Sequence, residues 1–115
     1  MFLKRAALFF MQLHRRLGWF EEEIGDLHIP ADYRLPQSLQ ALGCIEYSPE
    51  LENKIYTGQL IASGSLEEVK IRAATILACD ELSKLSGYNS FQIDWWLWKN
   101  RFDDKPFHLT VTTDY

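Results

Sequence analysis

Ser65–Gly87, SLEEVKIRAATILACDELSKLSG, contains the longest stretch of the chain that is free of glycine and proline. Ser65 with Glu68 three residues later forms a capping box, which marks the start of a helix. Gly87 marks its end, because glycine readily adopts the left-handed conformation that closes helices. Six apolar residues are expected to face inward: Val69, Ala73, Ile76, Leu77, Leu82 and Leu85. This stretch predicts the central helix of a compact, mainly α-helical domain.

Two shorter helices are predicted on the N-terminal side of this stretch. The first has Pro36 in its opening turn, since Leu35 before the proline is a natural boundary, and ends near Gly43. The second begins at Ser48-Pro49-Glu50, where a cap, a proline and an acid follow one another. It carries Leu51 and Ile55 and stops near Gly58.

The C-terminal region predicts one more helix and an extended tail. Ser90 is expected to cap a helix that carries three tryptophans. The tail, FHLTVTTDY at residues 107–115, alternates and is rich in β-branched residues, which is typical of an extended segment. A single strand has no sheet of its own, so this tail must pair elsewhere or lie along the helices.

The first twenty residues are basic and amphipathic. They predict a core helix that ends at Gly18, with five residues on its inner face: Phe2, Ala6, Phe9, Leu13 and Leu17. An Arg-rich segment without acids is also typical of an organellar transit peptide or a membrane-surface helix. The absence of serine weakens the transit interpretation, and the core helix is preferred.

Composition limits the classes of partner. The 115 residues suit one domain, 1–115, and the net charge is −4. Residues 1–20 hold four basic groups and no acids, which leaves 8 basic and 16 acidic residues (−8) elsewhere. This acidic body argues against DNA or RNA binding and favours a small ligand. Cys44 and Cys79 form no CxxC pair and are expected to be reduced thiols in the cytoplasm. No apolar run reaches the roughly 20 residues of a membrane span.

Two carboxylates are the candidates for chemistry, because no metal-ligand cluster or phosphate-binding loop occurs and no cofactor is expected. Asp32, in PADYRLPQ, lies at or just before a helix start, where the dipole would lower its pKa. It is either an N-cap or a catalytic group. Asp94, in QIDWWLW, lies among apolar neighbours that would raise its pKa. It is either a first-turn acid or one member of a carboxylate pair with separate roles.

Several motifs together resemble the C-terminal part of the queuosine salvage family, the queuosine 5′-phosphate N-glycosylases. The resemblance runs almost from end to end of the chain. It rests on the stretches FLKRA, ADYRLPQ, LGCIEYSPEL, SLEEVKIRAATI, IDWWLW and FHLTVTTDY. The combination of ADYRLPQ with IDWWLW in this order is the specific part.

The resemblance implies a fold related to the helix-hairpin-helix DNA glycosylases. It also implies hydrolysis of queuosine 5′-monophosphate to queuine and ribose 5-phosphate, without direct contact to tRNA. Asp32 would be the reacting carboxylate, and Asp94 would recognise the base. Further substrate-binding candidates are Lys4, Tyr33, Arg34, Gln37, Trp95, Trp98, His108 and Tyr115.

Two other classes of protein stay open. One is a truncated, non-catalytic helical module that binds a partner, which a large exposed apolar face would favour. The other is a nucleic-acid glycosylase or binder on the same scaffold, which the acidic body disfavours.

Overall fold

The computed structural model describes residues 4–20, 22, 29 and 32–112. Within these ranges the chain forms five helices and no β-strand. They are α1 (Lys4–Leu17), α2 (Arg34–Ala41), α3 (Pro49–Tyr56), α4 (Leu66–Ser86) and α5 (Ser90–Lys99). The prediction of a mainly α-helical protein is confirmed.

Most helix ends lie where the capping signals placed them. The Ser65 hydroxyl accepts the Glu68 backbone N–H at 3.3 Å, and the Ser48 hydroxyl accepts that of Leu51 at 3.3 Å. Gly87 closes α4 with a φ of +77°, a conformation that strains any residue with a side chain. These caps are local hydrogen bonds, so short sequence signals suffice to predict them.

The cap predicted for α5 was wrong by one residue. Asn89 is the N-cap, and its side-chain oxygen accepts the Gln92 backbone N–H at 2.9 Å. Gln92 returns the bond, since its side-chain oxygen accepts the Asn89 N–H at 2.9 Å. Ser90 is the first helical residue and is buried. Asparagine is the favoured cap here because the glutamine three residues later completes a reciprocal capping box.

Helices α2, α4 and α5 pack against one another and enclose the main apolar cluster. Its buried members are Ile29, Leu35, Leu39, Ile45, Cys79, Ile93 and Leu97. A smaller cluster joins α3 and α4 through Ile55, Ile61 and Ile71. Removal of these side chains from water is the main favourable term that holds the three central helices together.

The predicted inner face of α4 was wrong in part: Ile76 and Leu82 are partly buried and pack against the main apolar cluster, whereas three other members are exposed. Leu77 and Leu85 are 65% and 83% exposed, and Val69 is 38% exposed. The buried face instead carries a mixed set: Glu68, Ile71, Arg72, Thr75 and Cys79. Three polar side chains can occupy this face because Glu68 pairs with Arg72 at 3.4 Å and the Thr75 hydroxyl donates to the Ile71 carbonyl at 2.8 Å.

The interpretation of α1 as a core helix was also wrong. The helix ends at Leu17 as predicted, and Gly18 adopts a φ of +69°. However, Phe9 and Leu17 are 61% and 55% exposed, and Ala6 is exposed as well. Phe2 lies outside the described residues. The amphipathic pattern was sufficient to predict a helix but not its burial.

The described part of the C-terminal segment pairs with the loop between α3 and α4, which is one of the two placements predicted for it. The Ile61 backbone N–H donates to the Leu109 carbonyl at 2.7 Å, next to a single parallel bridge between Leu60 and Leu109. None of the described helices combines the length and apolar character that a membrane crossing requires.

Candidate active site

Asp32 lies immediately before α2 and is only 3% exposed. Its Oδ1 accepts the backbone N–H groups of Arg34 and Leu35, both at 2.9 Å. These two bonds explain why α2 begins at Arg34, earlier than the proline pattern indicated. Asp32 is therefore at the helix start, as predicted, and N–H donors of the first turn favour its ionised form.

A second element contributes to the same carboxylate. The indole Nε1–H of Trp98, on α5, donates to Asp32 Oδ2 at 2.9 Å. The two residues are 66 positions apart in sequence, so this bond joins the start of α2 to the end of α5. Trp98 is partly buried and packs against the main apolar cluster, which holds the indole in place.

Asp94 lies on α5, in the middle of the tryptophan-bearing stretch, and is 3% exposed. Burial raises the pKa of Cys79 to about 12. The nearby charges of Asp94, Asp80, Cys44 and Asp32, in decreasing order, add to this shift. Cys79 is fully buried and stays a protonated thiol at neutral pH. Asp94 and Asp32 are therefore both close enough to this thiol for their charges to act on it.

The segment after α5 lies across the start of α2. The Gln37 side-chain amide donates to the Lys105 carbonyl. The Tyr33 and Phe107 rings lie 4.9 Å apart, and the Arg34 guanidinium lies 4.7 Å from the Phe107 centroid. Arg34 also donates to the Gln37 side-chain oxygen at 3.2 Å. Tyr33 and the α2 residues Arg34 and Gln37, all proposed as substrate contacts, are therefore engaged with the chain itself.

The exposed end of this segment carries a chain of charges that sequence reasoning missed. Asp103 lies 2.9 Å from the Arg101 Nε and 3.6 Å from the Arg34 Nη1. The Arg101 guanidinium lies 5.7 Å from the Trp98 ring centroid, and its Nη1 donates to the Trp98 carbonyl at 3.1 Å. Nothing in the sequence around Arg101 distinguishes it from an ordinary surface arginine, so tertiary contact was needed to find it.

The three tryptophans of α5 differ in their surroundings. Trp95 and Trp96 are 47% and 51% exposed, whereas Trp98 points toward Asp32. The Lys99 ammonium lies 4.9 Å from the Trp95 ring centroid. An α-helix has 3.6 residues per turn, so neighbouring side chains point in different directions around its axis. The three tryptophans of this run therefore cannot all line one pocket.

His108 is buried away from the solvent, at 3% exposure. Its pKa is lowered to about 4, chiefly because burial disfavours the charged ring. Glu68 opposes this shift and Arg72 adds to it, which places the imidazole beside this buried ion pair on α4. The histidine is therefore neutral at physiological pH.

This burial predicts a pH dependence of stability. The unfolded histidine takes up a proton below pH 6.5, whereas the folded one does so only near pH 4, so folding loses stability as the pH falls between these values. From pH 7 to pH 5 we expect a loss of about 2 kcal/mol from this group. Urea denaturation of the wild type and of His108→Gln at both pH values measures it. An equal loss in both proteins would contradict the assignment.

Two predicted site residues lie outside this geometry. The prediction for Lys4 concerns its side chain, which is outside the described residues, although the residue itself begins α1. Tyr115 is likewise outside the described residues. The structure therefore joins Trp98 to Asp32, places Asp94 on the same helix as Trp98, and leaves these two predictions as they stand.

The described residues define a mainly helical protein with two buried carboxylates: Asp94 lies on α5, and Asp32 accepts a hydrogen bond from Trp98 of the same helix. Residues 1–113 match the family described as Queuosine salvage protein. The chain belongs to this family.

Relatives of the chain carry one and the same name, Queuosine 5′-phosphate N-glycosylase/hydrolase. That of Sphaerobacter thermophilus is 36% identical over 128 residues, which cover 99% of this chain and 39% of the relative. That of Dictyostelium discoideum is 38% identical, with 99% of this chain and 40% of the relative covered. The Mus musculus protein is 37% identical over 107 residues, covering 77% of this chain and 32% of the relative. The chain thus spans about two fifths of the length of the first two relatives.

Proposed function

We propose that this chain carries the reacting carboxylate of a queuosine salvage enzyme that hydrolyses the N-glycosidic bond of queuosine 5′-monophosphate. The observation that carries the proposal is Asp32, a buried carboxylate held by two backbone N–H groups and one indole N–H. Family membership and the name that the relatives share supply the bond and the substrate class.

The chemistry follows from the charge that develops when the bond breaks. Cleavage of the C1′–N bond builds positive charge on the ribose, which an ionised carboxylate close to the sugar stabilises. Water then bonds to C1′, and Asp32 can position that water and accept its proton. The departing nitrogen of the base takes up one proton, so the products are queuine and ribose 5-phosphate. Queuine is a 7-deazaguanine and lacks the N7 that purine hydrolases protonate, which increases the importance of stabilisation at the sugar.

Asp94 is proposed to recognise the base. Its carboxyl group is 3% exposed, and its oxygens can accept hydrogen bonds from the polar edge or amine of queuine. Burial disfavours ionisation of such a group, so the two acids would divide the roles of sugar stabilisation and base recognition. Trp95 is the candidate wall residue beside them, because its exposed ring face can stack on a base.

The remaining predicted contacts receive supporting roles. Arg34 and Gln37 would orient Asp32 through α2, since their side chains bond to each other and to the C-terminal segment. Tyr33 would support that segment through Phe107. Lys4 would pair with the phosphate or the acid, and His108 and Tyr115 would close the site from the tail.

The setting of this activity is part of the same proposal. The 115 residues would form one helical domain, related to the helix-hairpin-helix DNA glycosylases, that acts on a small molecule in the cytoplasm without a cofactor. Direct binding of tRNA or DNA is not expected, because residues 21–115 carry 8 basic and 16 acidic groups.

Queuine release tests the proposal directly. The purified 115-residue chain is incubated with queuosine 5′-monophosphate, and free base is followed by mass spectrometry. Release of queuine together with ribose 5-phosphate is expected. A folded chain that releases no base would instead support the alternative of a helical remnant that binds a partner, for which the exposed Phe9 and Leu17 of α1 offer an apolar surface.

A further inference from the structure

The bond between Trp98 and Asp32 has a property that a stacking role does not require. An indole has one N–H donor and no acceptor, so its orientation is specific for an acceptor atom. Here that atom is Asp32 Oδ2, at 2.9 Å. The backbone donors of α2 bond to the other oxygen, Oδ1. Donors from two separate helices therefore act on the two oxygens of one carboxylate.

Two sets of contacts hold Trp98 in position. Its ring packs against the main apolar cluster, and Arg101 contacts it through both its ring and its carbonyl. Asp103 then connects Arg101 to Arg34, whose backbone N–H is one of the donors to Asp32. The contacts form a closed ring that starts and ends at Asp32. Exposed ion pairs of this kind add little to the free energy of unfolding. Their contribution is to hold Trp98 and Arg34 in position.

We propose that Trp98 is a positioning residue, which fixes the orientation of the Asp32 carboxylate through its indole N–H. The inference rests on the proposed glycosidase function of Asp32 for its catalytic consequence. The two backbone donors of α2 fix the position of Oδ1. The Trp98 bond fixes Oδ2 as well, which narrows the remaining rotation about the Cβ–Cγ bond and sets the direction in which the oxygens face the sugar.

This role differs from that of a wall residue in what it predicts for kinetics. A wall residue contacts substrate through its ring, so replacing it mainly raises KM. A positioning residue acts in the transition state through Asp32, so its loss lowers kcat and leaves KM nearly unchanged. Trp98→Phe separates the two, because phenylalanine keeps an apolar ring and lacks the N–H.

The kinetic test compares Trp98→Phe with Trp96→Phe, a matched change at a tryptophan of α5 that is 51% exposed. We expect Trp98→Phe to lower kcat about 10- to 100-fold, the scale of one hydrogen bond to a charged group. The acidic limb of its pH–rate profile should move to higher pH, because a bond that favours the ionised carboxylate is gone. Trp96→Phe should match the wild type in both measures.

A second measurement decides the hydrogen bond without turnover. In ¹H–¹⁵N spectra of the folded wild type, the Trp98 indole proton should exchange with solvent more slowly than those of Trp95 and Trp96. Asp32→Asn should remove that protection. An unprotected Trp98 indole, or an active Trp98→Phe with unchanged kcat, would overturn the inference. Protection in a chain that releases no queuine would sustain it and count against the proposed function alone.

Discussion

Asp32→Asn is expected to reduce queuine release by about a thousandfold, the scale of one electrostatic or general-base group in the transition state. The change removes the negative charge but keeps the size of the side chain. One amide oxygen can still accept the N–H groups of Arg34 and Leu35, so the start of α2 should survive. The amide NH₂ then meets the Trp98 indole N–H, which places two donors face to face. The kinetic loss should therefore appear in kcat, in a protein that still folds.

Asp104→Asn is the matched control for this change. Asp104 is exposed in the segment after α5, and the same substitution there should leave release unchanged. Circular dichroism of both variants checks that the helices are retained. If Asp32→Asn turned over at the rate of the control, Asp32 would be only the cap of α2, and the reacting carboxylate would have to be sought elsewhere.

Arg72→Met is expected to destabilise the fold by about 3–5 kcal/mol, because it leaves a carboxylate buried without its cationic partner. Glu68 and Arg72 are 2% and 4% exposed, and their side chains lie 3.4 Å apart on α4. Methionine keeps much of the arginine stem, so the cost arises from charge and not from an empty volume. With a total stability of about 5–15 kcal/mol for a typical domain, this loss should be visible as a large shift of the urea midpoint.

The double variant Glu68→Gln/Arg72→Met provides the decisive comparison. Glutamine keeps an oxygen that can accept the Gly64 backbone N–H, which Glu68 Oε2 accepts at 3.2 Å in the wild type. Removing both charges should recover most of the lost stability, since replacing a buried ion pair as a whole is often neutral. A double variant as unstable as Arg72→Met would show that the pair is not what holds this face of α4. Recovery is measurable even if the single variant fails to fold.

The candidate site was predictable in part. Local motifs singled out Asp32 and Asp94 as its acids, and both are buried. The contact between Trp98 and Asp32 was not predictable from spacing, because it joins positions 66 residues apart. Nor did the sequence indicate that the Arg101 guanidinium would donate to the Trp98 backbone carbonyl. The roles of these acids in catalysis stay predictions until the variants above are measured.

The sequence by itself determined where most of the helices begin and end. Ser48, Ser65, Gly18 and Gly87 act through hydrogen bonds or backbone angles within a few residues, so their effect does not depend on the rest of the fold. The family of the chain could also be predicted from the sequence, since the resemblance rests on motifs in a fixed order.

Only the tertiary structure decided which faces are buried. On α4, the apolar period pointed to Leu77 and Leu85, yet the buried face carries Glu68 and Arg72. Periodicity ranks side chains by their own hydrophobicity, whereas burial also depends on whether a polar group finds partners once the helices have packed. Glu68 finds them in Gly64 and Arg72, and Asp32 finds one across the molecule in Trp98. Those partners exist only in the folded chain, which is why the site had to be located from structure.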